Sequence, residues 1–265
     1  MSKIEIKKQN SSGKVSPVKG KIMTSKLTKK SLRINVSESI GEVSALFYST
    51  DNAEYILAFA HGAGAGMKNK FMEQVSLSLA ENGIATLRFN FPYMENGKKM
   101  PDKKPVCCDT IRAAVEEATN LCPNLTLFAG GKSFGSRMTS TAVSEGFLPN
   151  VKGIVFFGFP LHPPGKPSNE RAEHLYKVNI PMLFFQGTRD ALASLDLLKP
   201  VCKKLGKKAE LFIIDGADHS FHVSKEKNMK DSDVIELICK EVKRWMTHSI
   251  IPVCHQAGIF NDPCQ

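Results

Sequence analysis

The sequence predicts an α/β fold: one mostly parallel, doubly wound sheet flanked by helices. Three observations predict it. Short apolar runs alternate with longer stretches of helical spacing, the runs are continuously apolar, and Gly, Pro and Asn mark the transitions. A strand buried on both faces needs that continuous character, whereas a half-solvated antiparallel sheet would alternate apolar with polar residues. The 265 residues, 42% of them hydrophobic, suffice for one sizeable core.

Residues 31–36 and 43–48 read as an opening pair of strands, and 55–60 as a buried strand ending at His61-Gly62-Ala63-Gly64. Helical spacing covers 71–80 until Asn82-Gly83 stops it, and 84–91 is the next strand. Residues 106–121 are helical, 125–129 a strand and 136–144 a helix. The rhythm repeats with strands at 151–157, 182–186 and 211–214, and helices at 193–205 and 232–246. No repeat or linker divides this stretch, so a single domain is expected over 31–248, between a basic leader (1–30) and a tail (249–265). Two loops rich in turn-formers, 92–105 and 160–167, each follow a strand. The carboxyl ends of parallel strands line the ligand crevice, so these loops are the expected pocket rim. Residues 159–180 are too few for a large lid.

The formal net charge is +10, but residues 1–33 carry ten basic residues against one acid, and the remainder carries 26 against 25. The body is therefore nearly neutral, which argues against a nucleic-acid surface. The leader reads as a solvated extension, with a nuclear address or loose polyanion contact as the alternatives. No apolar run is long enough to cross a bilayer, and the first residues lack the apolar block of a secretory signal. The seven cysteines are scattered and contain no C-x-x-C pair, which argues against a disulfide framework and a zinc site. The expected compartment is the cytosol, or the nucleus if the leader is an address, and no metal or cofactor is expected.

The stretch FAGGKSFGSRM, Phe128 to Met138, carries the chemistry. Gly131-Lys132-Ser133 looks like the end of a phosphate-cradling loop, but that loop needs a glycine five residues earlier, where Thr126 stands. Gly131-Lys132-Ser133-Phe134-Gly135 is instead G-x-S-x-G between a strand and a helix, the turn that raises a nucleophilic serine. The serine sits there at strained backbone angles, and glycines two positions away keep side chains out of the turn.

A serine hydroxyl attacks only when a base takes its proton. In this arrangement an acid and a histidine follow, each just past a strand. Asp190, in Phe184-Phe185-Gln186-Gly187-Thr188-Arg189-Asp190, and His219, in Ile213-Ile214-Asp215-Gly216-Ala217-Asp218-His219, stand at those places. His219 is the expected proton shuttle and Asp190 the group that holds its tautomer. Asp190 also fits a helix N-cap, and His219 an ordinary loop residue. His222, Asp215 and Asp218 are rivals, the two acids lying too close along the chain to reach round His219. The amide of Phe134, paired with that of Ala63, is the expected oxyanion hole. His61, Gly62, Gly64, Lys132 and His162 are the expected pocket residues, His61 as a structural residue rather than a base.

HGAGAGM, TLRFNFPYME, GGKSFGSRM, GFPLHPPGKP, FFQGTRD and GADHSF together resemble the α/β-hydrolase superfamily over about residues 55–245. The resemblance is closest to a branch containing a vertebrate testis-expressed protein and the hydrolase-like domain of a histone-acetyltransferase complex subunit, near the dienelactone hydrolases. The branch pattern is similar to G-G-R-S-M-G-x-R, so Lys132 keeps a positive charge and Arg137 matches. The resemblance implies Ser133, Asp190 and His219 as the triad. The expected activity is hydrolysis of small esters, thioesters or lactones through an acyl-enzyme; the alternative is a catalytically silent module that binds partners. Lys68, Lys98, Lys99, Lys103, Lys104, Lys132, Lys166 and Arg171 lie near strand ends. They read first as solvated loop charges, and second as an attraction for an anionic substrate. Arg88 and Arg137 sit in apolar surroundings and are expected to pair with buried carboxylates such as Asp109 or Glu117.

Overall fold

Strand β3 (Tyr55–Ala60) lies inside the sheet, and all six of its residues are buried, as a strand covered on both faces requires. The computed structural model describes residues 26–224 and 229–250. Its eight-stranded sheet also contains β1 (Leu27–Ser37), β2 (Gly41–Thr50), β4 (Ile84–Phe89), β5 (Thr126–Lys132), β6 (Ile154–Phe157), β7 (Met182–Gly187) and β8 (Ala209–Ile214). The spatial order is β1-β2-β4-β3-β5-β6-β7-β8. β1 pairs antiparallel with β2, and β2 with β4; every other pairing is parallel.

Helices α1 (Lys70–Glu81) and α6 (Asp231–Ile250) cover one face around Phe59, Phe128, Phe157 and Trp245. Helices α3 (Lys104–Leu121), α4 (Phe134–Ser144) and α5 (Leu195–Leu205) cover the other with a 3-10 segment, Glu170–Lys177. Helix α2 (Pro92–Glu95) is a single turn started by proline, which supplies a preset φ and lacks the N–H that a helix start leaves unpaired. The chain moves from β3 outward to β4, then returns past β3 to β5. This reversal opens a crevice at the carboxyl ends of β3 and β5, where ligands settle in open α/β sheets. Ala60 and Gly131 pair there, so the turns after β3 and β5 emerge side by side.

Several expectations need correction. β1 starts at Leu27, so the last four residues of the expected 1–30 leader belong to the sheet; they pair with β2 although their side chains are exposed. Helix α6 takes in the first two residues of the expected 249–265 tail; residues 1–25 of the leader and the tail beyond Ile250 lie outside the described residues. The expected loop 92–105 contains α2, and the 3-10 segment follows the expected loop 160–167; the short turns of both leave no apolar period to read. Arg88 does not meet Asp109 or Glu117. It projects from the face covered by α1, opposite the one against α3, where it lies 4.4 Å over the Tyr48 ring and donates to Met67 O at 3.1 Å. Asp109 pairs instead with Arg112, one turn along α3. Arg137 likewise makes no ion pair among the described residues.

Candidate active site

Ser133 has φ 52° and ψ −111°, a left-handed backbone that a side-chain-bearing residue adopts only where its surroundings enforce it. Close packing enforces it here. A Cβ on Gly131 would lie 2.4 Å from the Gly135 carbonyl carbon, and one on Gly135 would lie 2.4 Å from Ala60 O. Only glycines let α4 press against β5 and the end of β3 so tightly. Ser133 N–H donates to Phe157 O at 3.2 Å, and Ser133 O accepts the first helical bond, from Arg137 N–H, at 3.2 Å. As N-cap of α4 Ser133 makes no side-chain capping bond, so its hydroxyl is left to reach outward.

That hydroxyl meets His219: Ser133 Oγ and His219 Nε2 are 2.8 Å apart. His219 Nδ1 lies 2.7 Å from Asp190 Oδ2. A carboxylate accepts, so the proton sits on Nδ1 and Nε2 is free to accept from the serine. The Asp190 side chain is 1% exposed and the imidazole 22%. Asp190 Oδ1 accepts from Leu192 N–H at 2.7 Å, and Gln186 Nε2 donates to Oδ2. Burial alone would raise the Asp190 pKa, but the His219 hydrogen bond, the Leu192 amide and the Lys132 charge outweigh it and hold the carboxyl below its ordinary range.

The turns carrying these two residues are laced together. Arg189 N–H donates to Ala217 O at 2.9 Å, and Gly216 N–H to Thr188 Oγ1 at 2.8 Å. A Cβ on Gly187 would sit 2.2 Å from Ala217 O, so the contact needs glycine. Asp218 is no rival acid: its Oδ1 accepts from the amides of Ser220 and His222, which folds the loop around His219. His222 points elsewhere, to Asp231 at 2.6 Å.

The loop after β3 supplies amides. His61 is buried, its Nδ1 2.7 Å from Gly62 O while its Nε2 accepts from Phe91 N–H at 3.2 Å. Burial pulls its pKa down to about 4, partly opposed by the Gly62 carbonyl, so it stays neutral and holds the loop. Gly64 N–H donates to Tyr93 Oη at 3.2 Å and Ala65 N–H to Gly62 O at 3.2 Å. The amides of Ala63 and Phe134 have no partner among the described residues. Gly62 stands against the serine, where an added Cβ would lie 3.7 Å from Ser133 Cβ. His162 is placed differently from an open pocket residue: it is buried, its Nδ1 lies 2.9 Å from Pro163 O, and its Nε2 accepts from Ser194 N–H at 3.1 Å. Both ring nitrogens are therefore committed to backbone.

Lys132 also turns inward. Its ammonium donates to His219 O and lies 5.6 and 5.0 Å over the rings of Phe71 and Phe221. Burial lowers its pKa to about 8, with Asp190 and Asp218 pulling the other way. Sequence reasoning missed Gln186, Tyr93 and Phe91. Gln186 left a signal, a lone amide inside an apolar strand and four residues before the acid; the other two are recognisable only once the loops meet.

A protein-family model described as an alpha/beta hydrolase domain matches residues 53–247. The chain belongs to this family. Among solved structures, the dienelactone hydrolase of Anabaena variabilis superposes with a TM-score of 0.68 at 18% identity, over 84% of this chain and 98% of that one. A lidless serine hydrolase from Xanthomonas campestris gives 0.63 at 20%, over 82% and 94%. Est1E from Butyrivibrio proteoclasticus, in a complex with ferulic acid, gives 0.64 at 18%, over 83% and 99%. The shared fold is the α/β-hydrolase fold without a lid domain. No metal-binding group of His, Cys, Asp and Glu occurs among the described residues, and no helix among them is long and apolar enough to cross a membrane.

Proposed function

We propose that this α/β hydrolase cleaves small carboxylic esters, thioesters or lactones through an acyl-enzyme on Ser133. The observation that carries the reading is the unbroken hydrogen-bond line from Ser133 Oγ through His219 to Asp190, at 2.8 and 2.7 Å. On attack, the hydroxyl proton passes to His219 Nε2 while Oγ bonds to the carbonyl carbon. Asp190 stabilises the imidazolium, and the amides of Phe134 and Ala63 receive the negative charge on the carbonyl oxygen. His219 then returns its proton to the departing alcohol or thiol. Water repeats the sequence in reverse and frees the acid. The bent Ser133 backbone supports this because it lifts Oγ out of the capping role and presents it at the crevice. The esterase and dienelactone hydrolase neighbours support ester-like substrates, and HGAGAGM with GGKSFGSRM supports membership of the testis-expressed and acetyltransferase-subunit branch.

A fluorophosphonate probe tests the reading on the full chain. Labelling of Ser133, abolished in Ser133→Ala together with turnover of p-nitrophenyl butyrate, is the expected result. A folded protein that takes no label and cleaves no ester would be a silent module, and the hydrolase reading would fall.

A further inference from the structure

Helix α4 carries a second group of side chains one turn beyond the serine. Arg137 and Thr141 face the 3-10 segment across an open cleft of about 650 Å³, which Lys104 of α3 also lines. The charged lining is four basic residues (Lys104, Arg137, Arg171, Lys177) against two acidic ones (Glu170, Glu173). Lys104 is already paired with Glu145 at 2.8 Å. Neither arginine makes an ion pair among the described residues, and Arg137 Nε is buried without a hydrogen-bond partner.

Buried donors are normally satisfied, and like charges drawn together in a partly dry cleft repel. The fold nevertheless ties the two walls of the cleft together. His174, on the same wall, lies with Nε2 2.8 Å from Ser140 Oγ of α4. Burial first, and the Arg137 charge second, pull His174 down to about 4, so it anchors the segment without adding charge. Burial, followed by the Arg171 charge, likewise lowers Arg137, and Cys107 opposes this only in part.

An anion would satisfy both guanidinium groups. Planar guanidinium forks match the paired oxygens of a carboxylate or phosphate. The position relative to the nucleophile also fits. Arg137 is four residues after Ser133, about 6 Å along the helix axis, and long helical side chains lean back toward the helix N-terminus. Its guanidinium lies 6.0 Å from the ring of Phe134, the residue whose amide faces the reacting carbonyl in the mechanism above. Ser133 and His219 are not among the residues lining the cavity, whereas Arg137, one helical turn after the serine, is, so a charged end and a scissile bond would occupy separate places.

We propose that this cavity is an oxyanion site, where Arg137 and Arg171 hold a carboxylate or phosphate on the part of the substrate remote from the bond cleaved. The substrate clause rests on the hydrolase reading; the binding clause does not.

Two esters of equal acyl length test it at low ionic strength: mono-p-nitrophenyl succinate, which is anionic, and p-nitrophenyl butyrate, which is neutral. The expected kcat/KM ratio favours the succinate about tenfold or more, the worth of a charge-assisted hydrogen bond. Arg137→Gln and Arg171→Gln each bring the ratio toward one, chiefly through KM, while Lys207→Gln, exposed on the 3-10 turn after α5 and outside the cavity lining, leaves it intact. Arg171, unlike Arg137, has no buried unpartnered nitrogen, so its variant keeps the test alive should Arg137→Gln fail to fold. Competition by succinate or by inorganic phosphate at matched ionic strength names the oxyanion. A ratio near one that neither arginine variant moves overturns the site. If neither ester is turned over, the hydrolase reading fails separately. Calorimetric titration of the full chain with inorganic phosphate then decides the site: heat lost in both arginine variants supports it, and no heat in the unsubstituted protein overturns it.

Discussion

Two carboxylates drawn into this fold, Asp190 after β7 and Glu95 at the end of α2, are built from the same parts. Each loses solvent and each is met by several donors. Glu95 accepts from Ser44 Oγ at 2.7 Å, from Ser44 N–H at 3.2 Å and from Asn90 Nδ2 at 3.0 Å, and it pairs with Arg33. Against the upward push of burial, those bonds hold it at about 2. Asp190 is held low in the same way, by His219, Leu192 and Lys132. The difference is where the bonds lead. Those of Glu95 end on β1, β2 and the turn before α2, and they fasten the edge of the sheet. One bond of Asp190 leads to an imidazole that is 22% exposed and touches a serine hydroxyl. A depressed carboxyl marks satisfied hydrogen bonding; a relay to an exposed, proton-exchanging group is what points to chemistry.

Asp190→Asn gives the largest expected effect. The amide can present N–H to the ring and so favour the wrong tautomer, which in serine triads lowers kcat by about 10⁴. The fold should survive, because an asparagine Oδ1 still accepts from the Leu192 amide. Steady-state kinetics beside a thermal melt check this, and loss of less than tenfold would reduce Asp190 to the local cap that its Leu192 bond also describes.

Glu95→Gln should do the opposite, leaving kcat/KM near the wild-type value while costing about 1–3 kcal/mol of stability, or several degrees in Tm. Its pH signature has a definite sign. The folded pKa of about 2 lies below the unfolded value of about 4.3. The contribution is therefore complete above about pH 4.3 and disappears as pH falls toward 2. Denaturant melts of the variant should lack that part of the acid loss. Activity falling in step with Asp190→Asn would erase the contrast between the two carboxylates.

The same contrast explains how much was legible in the sequence. Strands and helices could be read because their signals are local: continuous apolar runs, helical spacing, Gly and Pro at the ends. The elbow was legible because Gly131 and Gly135 flank Ser133 within five residues, and the order of Asp190 and His219 after successive strands selected the two residues that now lie within hydrogen-bond reach of each other. The Glu95 nest was not legible, since Ser44 is 51 residues away and Arg33 is 62. A charge in apolar sequence ordinarily implies a partner, and on that ground alone Arg88 and Arg137 point to carboxylates. Which face of the sheet each occupies is settled only by packing, and packing gave Arg88 a tyrosine ring and left Arg137 facing a cleft. His162 looked like a rim residue because its loop does lie at the crevice; its ring, however, staples that loop to Ser194.

Lys132 gives the smallest expected effect and sharpens the comparison from the cationic side. Its ammonium holds the carbonyl of His219 and lies beneath the rings of Phe71 and Phe221, so it supports the loop without touching the reacting atoms. Burial brings its pKa to about 8, whereas the unfolded chain titrates near 10.4. Between those values the unfolded state binds a proton that the folded state has released, so this group makes stability rise with pH across the window. Cys107 and Cys239, each pushed up to about 12 by burial, act with the opposite sign, so the whole curve is not diagnostic. The difference between wild type and Lys132→Met is. That variant should lose the rise between about pH 8 and 10.4, and the loosened loop should lower kcat/KM by about tenfold, the worth of one hydrogen bond to a charged group. Lys132→Arg, which keeps the charge and a donor, should recover part of the rate. Parallel pH–stability curves for wild type and Lys132→Met, with equal rates, would show that the lysine is a bystander to the His219 loop.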